Sequence, residues 1–264
     1  MKKHHKKSSN LKLRNPWLWL VVAIAVLFAL FLLSRTLSQP PPSKSGAEPI
    51  SLKKQDLDTY TRMTGTIRLD TSIIQSLNPE LRKQLQQLLQ MVANRELADV
   101  IARLNRMLRR RPAYEQGAMQ LLIGFCYYEL GQPESALKAF KTGVMLLDTL
   151  QNLNPDAARL LAYQAFNAGY LFQLYSQPES ARFYYQLSRK AIQLIPVPDK
   201  NFTGILLNNL GLTLETTGDV QNARRLYLEA ASYIDTTAAT TDAERLKKNI
   251  HQTITKSPVG QHQS

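Results

Sequence analysis

Three glycines, Gly124, Gly169 and Gly211, constrain this chain more than any other feature, because each opens the same pattern. Twelve residues after each stands an alanine: Ala136, Ala181 and Ala223. Four further on comes an aromatic (Phe140, Tyr185, Tyr227), and three beyond that a small residue (Gly143, Ser188, Ala230). Three residues after each glycine is a large apolar side chain: Tyr127, Phe172 and Leu214. The pentapeptide Gln-Pro-Glu-Ser-Ala occurs at 132–136 and again at 177–181. Several positions recurring together predict an internal structural repeat. Intervals of three and four residues are helical intervals, so the repeat is predicted to be α-helical from about residue 79 onward.

The pattern resembles the tetratricopeptide repeat (TPR), whose unit is two antiparallel helices. The resemblance implies an all-α fold, a TPR-like α-solenoid of helix hairpins. Small residues such as Gly124 and Ala136 then let the two helices of a hairpin approach closely. The aromatic lies on the same helix face and is expected to fill the space toward the next hairpin. Gly131 and Gly218 stand where the chain turns between helices, a left-handed position that glycine tolerates. Ser176 takes that place in the middle unit. Pro133 and Pro178 stand where a first helical turn accepts proline.

The units are assigned to 117–150, 162–195 and 204–237 within a helical-repeat domain spanning 79–256. The framing glycines are 45 and 42 residues apart, more than the 34 of a regular TPR array. Extra residues are therefore expected around Asn152–Leu161 and Pro196–Thr203. A degenerate hairpin is expected ahead of these units. Its apolar faces are Leu85, Leu88, Leu89 and Val92, then Val100, Ile101, Leu104 and Leu108, closed by Pro112. Thr241-Asp-Ala-Glu244 reads as a capping box. It opens a terminal helix carrying Leu246, Ile250 and Ile254. Residues 257–264 are expected to be disordered.

Before the repeats, residues 15–34 carry no charge and are mostly apolar. A helix of that length spans the roughly 30 Å hydrocarbon core of a bilayer. The transmembrane helix is placed at 16–34, with Trp17 and Trp19 at its interfacial end. Residues 1–15 form a basic tail with Lys2, Lys3, Lys6, Lys7, Lys12 and Arg14 and no acidic residue. Positive charge on the short flank predicts a cytoplasmic N-terminus. The repeat domain is then periplasmic or otherwise extracytoplasmic, at a bacterial inner membrane, and an organelle membrane with the domain facing the cytosol is the other topology. A cleaved signal ending near Thr36-Leu37-Ser38 is the alternative, and would make a secreted protein. The apolar run is longer than a signal-peptide core. Residues 35–78 form a Pro-rich linker (Pro40, Pro41, Pro42, Pro49) and a lead-in over 51–78 of unassigned structure, expected to pack on the first repeat.

The chemistry-bearing residue types are sparse. The chain holds one cysteine, Cys126, so no intramolecular disulfide or thiolate metal cluster can form. Its neighbours Phe125 and Tyr127 mark it as a small buried hydrophobe. His4, His5, His251 and His262 stand beside no candidate nucleophile, and no zincin, CxxC, nucleophile-elbow or P-loop motif occurs. No catalytic, cofactor or metal site is assigned. The net charge of +13 has its densest run at Arg103, Arg106, Arg109, Arg110 and Arg111. That run lies near an expected helix C-terminus, where cations complement the dipole. Binding of an anionic surface or nucleic acid there is an alternative function.

The resemblance also implies a groove lined by the first helix of each hairpin. Carried over by position, its residues are Leu121, Phe125 and Tyr128, then Tyr163, Phe166, Asn167 and Tyr170, then Ile205, Asn208, Asn209 and Leu212. In peptide-binding relatives, asparagines placed like Asn167 hydrogen-bond the bound backbone, and Asn209 is equivalent. The basic residues that clamp a peptide carboxylate are missing: Leu121, Ile205 and Asn209 stand there. The groove is expected to take an apolar helix or an extended segment of a protein partner, a second copy included, or else to be covered by residues 51–78 of the same chain. The reading is a non-enzymatic, membrane-anchored adaptor or scaffold for protein–protein interaction, serving assembly of a membrane or envelope complex.

Overall fold

The computed structural model describes residues 57–149 and 152–256. The expected basic tail, transmembrane helix, cleavage site, Pro-rich linker and C-terminal tail lie outside the described residues. Among the described residues all regular structure is helical, and no helix there is long and apolar enough to cross a membrane.

A short helix α1 (Leu57–Arg62) and a 3-10 turn (Thr71–Ser76) precede the main array. The array begins with α2 (Pro79–Ala93) and α3 (Leu97–Met107), then α4 (Ala113–Glu129) and α5 (Pro133–Asp148). It continues with α6 (Pro155–Leu174) and α7 (Pro178–Ile192), then α8 (Lys200–Thr216), α9 (Val220–Ala231) and a last helix α10 (Thr241–Lys256). Each of α2, α4, α6 and α8 pairs with the helix that follows it, and neighbouring pairs stack, as in a helical solenoid. The first helices α4, α6 and α8 also touch one another, so they form one layer.

The helix ends follow from local chemistry. Asn78, Asn154 and Asp199 accept from backbone N–H groups at the starts of α2, α6 and α8 at 2.9, 2.8 and 3.1 Å. Proline opens α2, α5, α6 and α7, where its missing N–H costs nothing. The first helix of each pair ends in one residue at positive φ: Arg95 (65°), Gly131 (69°), Ser176 (53°) and Gly218 (91°). Each is followed by an N–H that reaches back to the last turn, as from Gln132 to Tyr127 at 2.9 Å and Gln177 to Phe172 at 2.9 Å. That is the Schellman turn. The same turn at Arg95 makes α2–α3 the equivalent of the later pairs. Leu88, Val100 and Leu104 stand where those pairs carry glycine, alanine and an aromatic.

The framing glycines face the aromatic of their own pair, which corrects the expectation that the ring fills space toward the next hairpin. A Cβ on Gly124 would overlap the Phe140 ring. On Gly169 it would come within 2.8 Å of Tyr185, and on Gly211 within 2.8 Å of Tyr227. Alanine and aromatic are both fully buried in all three pairs. The extra residues expected around 152–161 largely extend α6, which runs for 20 residues and is buried on almost every side. The helix-initiating hydroxyl at the C-terminal end is one residue earlier than expected. Thr240, not Thr241, accepts from the backbone of Ala243, at 3.2 Å. On α10 the inward positions are Ala243, Leu246, Asn249 and Thr253, while Ile254 is exposed.

Candidate functional site

Residues 63–70 form neither helix nor strand, yet Met63, Thr64 and Ile67 are buried. They cross the layer of first helices in reverse order: past α8 and α10, then α6, with the following 3-10 turn reaching α4. This segment, the strap, lacks internal backbone hydrogen bonds, so its buried polar groups need partners elsewhere. Two asparagines supply them. Asn209 accepts from the backbone N–H of Thr64 at 2.8 Å and donates to its carbonyl at 3.0 Å. Asn167 accepts from the N–H of Arg68 at 2.8 Å and donates to its carbonyl at 2.8 Å. Both asparagines are fully buried and lie two residues before a framing glycine, so one repeat position does the same work twice.

A second set of contacts reads side chains. Arg62 forms a buried ion pair with Glu215, which also accepts from the Tyr227 hydroxyl at 2.9 Å. Arg62 Nε donates to Asn249 Oδ1 at 2.7 Å, and Asn249 Nδ2 donates to the Arg62 carbonyl at 3.1 Å and to Asn208 Oδ1 at 2.7 Å. Asn208 Nδ2 donates to Thr64 Oγ1 at 3.1 Å. From α10, Arg245 donates to the Met63 carbonyl at 2.6 Å, and Asp242 accepts from the Gly65 N–H at 2.9 Å. Gly65 has φ +67°, and a Cβ there would come within 2.9 Å of Ile205. Only glycine meets both conditions without strain.

The sequence-derived groove residues divide into three groups. Asn167, Asn208 and Asn209 converge on the strap. Ile205 meets it through its carbonyl, which accepts from Thr64 Oγ1 at 3.3 Å, and Tyr170 is buried. Phe166, Tyr163, Leu121 and Leu212 are buried among the helices. Phe166 lies against the rings of Tyr185 and Phe202, with centroids 5.7 and 5.2 Å away, and Tyr163 stacks on Phe202 at 4.2 Å. Phe125 and Tyr128 remain half-buried. Arg62, Thr64, Gly65, Glu215, Asp242, Arg245 and Asn249 belong to the site and were not singled out from sequence. The available signal was the spacing of Gln173 and Glu215, each four residues after a framing glycine. Both take a hydrogen bond from the buried tyrosine of their own pair.

Elsewhere, Cys126 is buried and its thiol is pushed up to about 12 by burial, with Glu129 adding to the effect. It is therefore protonated at neutral pH and a poor nucleophile. Among the described residues no three His, Cys, Asp or Glu side chains gather where a metal ion could sit. Arg103, Arg106, Arg109 and Arg110 are exposed, while Arg111 pairs with Glu115 at 3.2 Å. No protein-family model, no curated protein and no solved structure matches the chain.

Proposed function

We propose that the chain is a membrane-anchored, TPR-like adaptor whose layer of first helices binds an extended polypeptide through its backbone. The observation that carries this reading is the pair of buried asparagines, Asn167 and Asn209. Each grips both the N–H and the C=O of one strap residue. Such contacts recognise a polypeptide rather than a small molecule or a nucleic acid, because they match an amide's paired donor and acceptor. The apolar run at 16–34 supports a membrane tether, and the basic residues before it support a cytoplasmic N-terminus with an extracytoplasmic repeat domain. The adaptor holds a protein partner at the membrane for assembly of a membrane or envelope complex and needs no cofactor.

Two measurements test the reading. A topology reporter fused after residue 50 is expected to be extracytoplasmic. Crosslinking in cells should trap a polypeptide partner on the wild-type chain and much less on the Asn167→Ala/Asn209→Ala double variant. Recovery unaffected by these asparagines would overturn the groove reading. The exposed arginines of 103–110 favour a second reading, an anionic-surface binder, which predicts affinity falling steeply with salt.

A further inference from the structure

Resting on that adaptor reading, we propose that the strap is a built-in occupant of the peptide site. The ligand that replaces it is a non-helical polypeptide segment with an arginine three residues ahead of a glycine, as Arg62 at the end of α1 stands to Gly65.

The strap is held as a ligand is held. Its backbone is read by side chains from α6 and α8, not by a helix or strand of its own. Glu215 is buried and forms an ion pair with Arg62, so the site suits a basic residue at that point. Two residues on, a hydroxyl is held between Asn208 and the Ile205 carbonyl. The next position admits only glycine, because Ile205 fills the space a side chain would take. Arginine, hydroxyl and glycine in this spacing therefore define the occupant.

The surface beneath the strap suits an exchangeable occupant. Asn167, Asn208, Asn209, Asn249 and Glu215 are polar groups that water can satisfy once the segment lifts. Apolar anchoring within the strap rests mainly on Met63 and Ile67. Beyond it, Ile73 and Ile74 of the 3-10 turn and Leu77 just after it are buried on their own account. Residues 62–68 can thus lift between α1, which packs on α10, and the turn, which keeps its place. Segments held in this way open at free energies below that of global unfolding.

The experiment uses the full chain and a fluorescent synthetic peptide with the sequence of residues 57–70. Native-state hydrogen exchange should show the Thr64 and Arg68 amides opening locally, at least about 100-fold faster than amides of α6. A cis occupant lowers apparent affinity by the fraction of open sites. The Gly65→Val chain, whose strap no longer fits, should therefore bind the peptide at least about tenfold more tightly than wild type. Replacing the peptide's arginine by alanine should abolish that gain. Arg62→Gln, which weakens the strap without adding bulk, provides the same comparison should Gly65→Val fail to fold. Exchange of the strap amides only through global unfolding overturns the proposal. So does equal peptide affinity for wild type and an open-strap variant, and binding there leaves the adaptor reading standing. An opened strap, shown by exchange, combined with no peptide binding at all, rejects the adaptor reading together with this one.

Discussion

Arg62 and Glu215 meet as an ion pair across 153 residues of sequence, with each side chain only 4% exposed. The pair is extended by a hydrogen bond that Arg62 donates to Asn249 and one that Glu215 accepts from Tyr227. Breaking a buried ion pair by removing one partner costs about 3–5 kcal/mol. Arg62→Ala and Glu215→Ala are each expected to lose about that much in urea denaturation. Replacing both with apolar residues of similar size should lose far less than the two singles together. A loss under about 1 kcal/mol from either single variant would mean that the charges are solvated.

Gly169 and Gly211 let Tyr185 and Tyr227 lie against the opposite helix. Gly169→Ala and Gly211→Ala should each lose about 1–3 kcal/mol through overpacking. Gly131→Ala has open space around it and suffers only from its φ of 69°, so it should lose about 1 kcal/mol. Thermal melts of the three variants separate steric overlap from backbone strain. Equal losses in all three would contradict the close crossings.

Ser176 occupies a left-handed position that its counterparts fill with glycine, at φ 53°. Ser176→Gly should stabilise the protein by roughly 0.5–1 kcal/mol, since relief of strain outweighs the added freedom of the unfolded chain. An unchanged or lower denaturation midpoint would show that the turn there is not strained.

Alkaline pH should weaken the fold. Burial pushes the Cys126 thiol from its ordinary 9.0 to about 12 and the Tyr184 hydroxyl from 10.0 to about 12. Between those values the unfolded chain releases protons that the folded chain retains, so stability is full below pH 9 and declines as pH rises toward 12. Urea midpoints at pH 8 and pH 11 provide the check, and a higher midpoint at pH 11 would reverse the sign. For the same reason Cys126 should resist alkylation until the protein unfolds.

The helix pairs were legible because their determinants are local and periodic. Gly124 predicts Ala136 and Phe140 at helical offsets, and Gly131 marks the turn between them. Asn167 and Asn209 were legible as backbone readers only through the resemblance to peptide-binding tetratricopeptide repeats, which implies that role for asparagines so placed. What they read was not. The strap shows no periodicity, since its conformation is set by partners that lie 99 to 182 residues away. Nothing around Thr64 in the sequence announces Asn249. The direction of the three ring contacts was also obscure, because a ring at a fixed helical offset can face either neighbour, and only the room left by glycine decides.

The strap begins beside α10 and ends at α2, so it links the last helix of the array to the first. A linear stack of repeats ordinarily frays from its ends, because each unit leans only on its neighbours. Here the terminal helix cannot detach without also breaking the contacts of a segment covalently joined to the opposite end. With the strap in place the array is a closed ring of dependencies and should melt in a single cooperative step, where a stack whose strap has lifted would unravel unit by unit.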